Sequence, residues 1–209
     1  EGNAQPWTQK VKQVLADYIA AGRDLDTIPV NEFYAPSQID FTHGGYICVD
    51  GLYYAYLLVP STGYKTQVPA GWLSLLVNAG DGIDMDLFLT RQPKDRMVRK
   101  LGQQLRINRS KIRETSDTNT DFDDLDGAIR SGYFLKDGLG NNEDFYYLNL
   151  LVTVTAENVE DLEWKVAELK KLMLSQDMDV QTCSFCQEQA FLSSMPLVSL
   201  ERHLYERSK

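Results

Sequence analysis

A chain of 209 residues, 43% of them hydrophobic, can bury one sizeable core or two small ones, so the expectation is a globular α+β unit rather than a disordered segment. Its 21 lysines and arginines against 30 aspartates and glutamates leave a net charge of −9, which argues against nonspecific nucleic-acid binding by the whole surface and leaves room only for a local basic patch. No apolar run approaches the roughly 18 residues of a membrane-spanning helix, no signal-peptide core opens the chain, and three cysteines do not make a disulfide framework, so a reducing compartment is the default.

Residues 5–21 carry a helical pattern, with Trp7, Val11, Val14 or Leu15, and Tyr18 on one side and Gly22 as the stop. A proline-punctuated connector follows over 24–38. Residues 46–59 then hold two β-rich runs joined at Asp50-Gly51, a pair favoured in tight hairpins because both central residues need positive φ. Residues 60–69 close the second strand, and 70–79 read as a short apolar helix ended by Gly80.

Ile83, Met85, Leu87 and Leu89 alternate with Asp84, Asp86, Phe88 and Thr90, the pattern of a half-buried strand. Pro93 starts a helix reaching about Arg113, and a second helix spans 121–135. The run 137–142, Asp-Gly-Leu-Gly-Asn-Asn, reads as a turn. Over 145–155 a clear strand puts Leu148, Leu150, Val152 and Val154 on one face and Tyr147, Asn149, Thr153 and Thr155 on the other. Asn158 caps a helix striped by Val159, Leu162, Val166, Leu169 and Met173, and a third strand is expected over 178–186. Helices that separate one-face-apolar strands imply a sheet covered on one side, a two-layer sandwich of ferredoxin-like kind. The Asp-Gly hairpin either extends that sheet or precedes it; the reading favours a separate subdomain. The divisions are thus 1–40, an N-terminal helix and connector; 41–80, a β-hairpin and short-helix subdomain; 81–197, the α/β sandwich; and 198–209, the start of a linker helix. The start at Glu1 without methionine and the end inside that expected helix suggest a segment of a longer protein.

Cys183-Ser-Phe-Cys186 invites a redox or zinc reading. In an extended strand, positions three apart point to opposite faces and lie about 10 Å apart, beyond the roughly 7 Å limit for bridging. Zinc would also need a second such pair or histidines, and His43 and His203 stand in unrelated segments. The cysteines therefore read as structural, with no metal expected.

Several stretches together resemble the amino-terminal region of the large VirB/Tra-type conjugative-transfer ATPases of type IV secretion systems. Residues 41–60, FTHGGYICVDGLYYAYLLVP, look like the family's early hairpin. Residues 71–76, GWLSLL, with 83–89, IDMDLFL, are similar to its short helix and acidic-apolar strand. Residues 145–196 repeat its strand, charged helix and strand, running into 191–197, FLSSMPL. The resemblance implies a role in moving DNA or protein across a bacterial envelope, with ATP hydrolysis in a carboxy-terminal RecA-like domain. That domain needs a Gly-x-x-x-x-Gly-Lys-Ser/Thr loop, whose amides cradle phosphates, and none occurs here. No catalytic residue and no cofactor can be carried onto this chain. What the resemblance leaves is noncatalytic: contact with other secretion subunits and with the inner membrane face from the cytoplasmic side, and self-association in ring assembly.

The sharpest local candidate for such contact is the run from Arg91 to Arg113. It holds Arg91, Lys94, Arg96, Arg99, Lys100, Arg106, Arg109, Lys111 and Arg113 against one acid, Asp95. On a helix, Met97, Leu101 and Leu105 would face the sheet, with Arg96, Arg99, Arg106 and Arg113 spread over the outer side. The candidate partner-binding residues are Arg96, Arg99, Lys100, Arg106, Arg109 and Arg113. The bland alternative is a solvated face paired with the acidic stretch 117–126; the functional one is docking onto an acidic partner or anionic lipid. DNA is disfavoured, since no aromatic residues interleave these charges. Tyr53, Tyr54, Tyr56, Tyr133, Phe134, Phe145, Tyr146 and Tyr147 read mostly as strand and core residues, any exposed remainder being an interface. Two rivals stay open: a thiol oxidoreductase using Cys183 and Cys186, which would need them at a helix start, and a ferredoxin-like ligand-binding module, which would need a buried polar pocket.

Overall fold

The computed structural model describes residues 6–65, 68, 70–114, 120–196, 199–201 and 204. The side chain of Trp7, the loop 115–119, His203 and most of the expected helix 198–208 lie outside the described residues.

The chain opens with α1 (Pro6–Ala20), which stops where Gly22 turns to φ 63°. The connector contains a short 3-10 turn at Leu25–Thr27 and α2 (Asn31–Tyr34), then β1 (Ile39–Asp40). The hairpin follows as predicted, with β2 (Ile47–Val49), Asp50 and Gly51 at φ 49° and 85°, and β3 (Leu52–Val59). After α3 (Ser74–Val77) come β4 (Ile83–Gln92), α4 (Lys94–Glu114), α5 (Thr120–Gly140) and β5 (Phe145–Ala156). The chain continues through α6 (Val159–Ser175), β6 (Gln181–Thr182) and α7 (Gln187–Ser193).

All strands share one antiparallel sheet in the order β1-β2-β3-β5-β4, with β6 on the edge of β3 that β2 leaves uncovered. The hairpin therefore extends the sheet instead of forming a subdomain ahead of it. β3 is its central strand, because every residue of Ala55–Val59 is buried and needs neighbours on both edges.

On one face, Ala55, Leu57, Val59, Leu150, Val152 and Val154 pack under Leu162, Leu169 and Met173 of α6 and Leu76 of α3. Each such fully buried aliphatic side chain contributes about 1.5–3 kcal/mol relative to exposure. The cap on α6 is as the sequence implied: Asn158 Oδ1 accepts the Asp161 amide at 2.8 Å. The opposite face is covered too, correcting the one-sided expectation. There Ile47, Tyr56, Leu58 and Leu151 meet Cys183, Ala190 of α7 and Leu204.

The β4–β5 ladder runs without interruption from Ile83↔Val154 to Gln92↔Phe145. Beyond it the chain builds an arm from α4 and α5, 21 residues each and thus roughly 30 Å long. The two helices pack on one another, and at the base of the arm Lys100 Nζ and Met97 Sδ meet the Tyr147 hydroxyl of β5 at 3.1 and 3.9 Å. Of the residues expected to face the sheet, Met97 does meet Tyr147 of β5, whereas Leu105 packs on Gly132 of α5 instead. The run 137–142 also departs from its reading as a turn. α5 continues through Gly140 because Leu139 is buried, 3% exposed, and the turn comes at Asn142, φ 69°.

Candidate interaction surface

α4 begins where Pro93 ends β4, and the Met97 amide closes the first turn on the Pro93 carbonyl at 3.1 Å. Its inward side is Met97, Leu105 and Asn108, all buried. Leu105 lies over Gly132 of α5, where a Cβ would meet Leu105 Cδ2 at 2.8 Å. Gly132 is what lets the two helices approach.

The outward side is basic. Arg96, Arg99, Lys100, Arg106, Arg109 and Arg113 are all exposed. Arg99 and Arg106 each return to a backbone carbonyl four residues back, those of Asp95 and Gly102. Lys100 stands 5.7 Å from the Tyr147 ring centroid, and the Arg109 guanidinium lies 5.1 Å over Tyr133 of α5. Among the described residues none of these six side chains forms an ion pair. The bland pairing with 117–126 therefore has no support within the described part of that stretch, where Asp126 pairs with Arg130 on its own helix. Residues 117–119 and the side chain of Asp121 lie outside the described residues.

Beside this face α5 exposes Phe134 (73%), with Tyr133 and Leu135 partly exposed. The other aromatics divide as anticipated. Tyr56 is buried and Tyr53, Tyr54, Phe145 and Tyr147 are half-buried, while Tyr146 is exposed on β5. Phe134 and Tyr146 thus make up the exposed remainder, together with the partly exposed Tyr133.

The cysteines need correction. The expected strand 178–186 shrinks to Gln181–Thr182, and Phe185 at φ 59° turns the chain back. Cys183 and Cys186 consequently join the same apolar cluster rather than opposite faces. Burial pushes the Cys183 thiol up to about 12, helped by Cys186 as a charge and hydrogen-bond neighbour. Cys186 does stand at the N-cap of α7, as the oxidoreductase rival requires, but its neighbour Cys183, buried and held protonated, is the reverse of an activated thiol. All three cysteines are free, and among the described residues no group of three or more His, Cys, Asp or Glu could hold a metal.

A cavity of about 920 Å³ forms an open cleft between α1, the connector and β2–β3, lined by Val11, Phe33, Val49, Leu52, Tyr54 and Phe191. Its charged groups are already engaged with each other: Lys10 lies 3.7 Å from Asp50. That is not the buried polar pocket a ligand-binding module would need. Among the described residues no helix is long and apolar enough to cross a membrane. Comparison with protein-family models, with curated proteins and with solved structures finds no match for this chain.

Proposed function

We propose that this chain is a noncatalytic interaction and assembly module of a type IV secretion (conjugation) ATPase, cytoplasmic and peripheral to the inner face of the cell membrane. It engages other secretion subunits or the membrane face and does not itself bind nucleic acid. The observation that carries this is the arm: six exposed cationic side chains on a helix held away from the sheet, in a chain of net charge −9. Such a positive extreme on a negative body steers acidic partners and misaligns wrong ones. The core is read as ferredoxin-like, a reading supported by strand order: β3, β4, β5 and β6, with α3 and α6 between them, stand as β6-β3-β5-β4 with antiparallel neighbours.

The test has two arms. Titration of the chain with magnesium ATP in a calorimeter should give no saturable heat, since no phosphate-cradling loop is present in the sequence. The coding sequence past Lys209 should contain a Gly-x-x-x-x-Gly-Lys-Ser/Thr loop. Saturable ATP binding by this chain, or a parent gene lacking that loop, overturns the assignment.

A further inference from the structure

β4 is the outermost strand of the sheet, and among the described residues nothing pairs with its outer edge. The edge is ten residues long and pairs with β5 without a bulge. Between Ile83 and Gln92 it carries neither proline nor lysine, the residues that commonly blunt such an edge. Two of its exposed side chains are apolar, alongside the exposed Asp84, Thr90 and Arg91. Leu87 and Leu89 are 47% and 65% exposed, on the sheet face that α6 covers only farther along.

From these features we propose that β4 pairs antiparallel with β4 of a second copy, about a two-fold axis through Leu87, joining two sheets into one. The partner is identified by self-complementarity. If like faces stay continuous, opposed residues must have the same parity. The register that sets Leu87 opposite Leu87 then sets Met85 opposite Leu89 and Ile83 opposite Arg91, while Asp84 meets Thr90 and Asp86 meets Phe88. No carboxylate faces another. A slip of one pair in one direction puts Asp86 against Asp86, which like-charge repulsion disfavours; the slip the other way sets Ile83 against Pro93, beyond the end of the strand, and shortens the ladder. In the favoured register Asp81 of each copy comes opposite Pro93 of the other, next to Lys94, so the ends of the ladder bring opposite charges together.

This inference deepens the reading of an assembly module by naming the partner and the surface. Sedimentation velocity across micromolar concentrations should show a reversible two-chain species that Leu87→Lys abolishes without lowering the melting temperature. Oxidation of Leu87→Cys should give a disulfide-linked dimer. Opposed Cα atoms in a sheet lie about 4.5–5.5 Å apart, inside the range a disulfide spans. Leu89→Cys, offset from its own counterpart, should not cross-link, and nor should the parent chain with its three native cysteines. A chain that stays monomeric throughout, or Leu89→Cys cross-linking as readily as Leu87→Cys, overturns the proposal. Such a failure leaves the secretion reading standing, because that reading depends on the parent gene and on α4.

Discussion

Leu105 of α4 rests on Gly132 of α5 with no space for a β-carbon between them, and the arm depends on that approach. Replacing Gly132 by alanine pits a gain of about 1 kcal/mol in helix propensity against a contact that Leu105 can relieve by a small shift, so the net effect should be near zero. Gly132→Leu has no such escape and should loosen the arm by about 1–3 kcal/mol. Hydrogen exchange is the measurement. Amides of α4 and α5 should lose protection in Gly132→Leu while those of β5 keep theirs; equal loss in both would mean that arm and sheet unfold as one unit.

The hairpin turn is anchored by its own aspartate. Asp50 accepts the Ser37 amide at 2.9 and 3.1 Å and the Gln38 amide at 2.9 Å, with Lys10 at 3.7 Å. Burial pushes its carboxyl up, but those amides and Lys10 outweigh it and hold the pKa below the ordinary value. A folded-state pKa below the unfolded one gives stability that is present above the ordinary carboxylate range and is lost as pH falls through the folded value. Acid titration of the melting temperature should therefore show a decline below roughly pH 4 that is shallower in Asp50→Asn. That variant keeps the acceptor and tolerates the positive φ. Asp50→Ala removes the acceptor of two exposed amides, which water can partly replace, and should cost about 0.5–1.5 kcal/mol at neutral pH.

Thiol chemistry separates the two clustered cysteines. With Cys183 buried and its thiol raised to about 12, the half-buried Cys186 should be modified first by a disulfide reagent under native conditions, and Cys183 only on unfolding. Because the folded value lies above the unfolded one, stability should fall as pH climbs from about 9 toward 12, and Cys183→Ala should flatten that alkaline decline. Equal and rapid modification of both thiols in the folded chain would revive the oxidoreductase reading.

Much of this architecture was legible in the sequence, for identifiable reasons. The Asp50-Gly51 turn, the alternation in β5 and the Asn158 cap are local signals, each fixed by backbone chemistry within a few residues, and each appears in the structure. The strand expected over 178–186 was misread because Phe185 adopts φ 59°, and nothing in its residue type announces a left-handed turn. The basic face of α4 was legible as a charge run; what its apolar side would meet was not, since a stripe specifies a partner but not which one. A spacing signal was nonetheless present. Met97, Leu101, Leu105, Asn108 and Ile112 recur at intervals of three and four, as do Phe122, Leu125, Ile129 and Gly132. Two such seams joined by a short loop describe a helical pair packed on itself, and they leave Tyr133 and Phe134 outside it.

The most direct measurement concerns Arg96, Arg99 and Arg106. An exposed ion pair contributes about 0–1 kcal/mol, and among the described residues these three arginines form none, so reversing all three to glutamate should leave the fold intact and cost no more than about 1 kcal/mol in all. The melting temperature should move by no more than about 2–4 °C, the equivalent of 1 kcal/mol for a chain of this size. In the conjugation ATPase proposed as its parent, the same three substitutions should impair DNA transfer or membrane association. A triple variant that folds and supports normal transfer and membrane association contradicts the docking role of α4 and leaves its arginines as a solvated face.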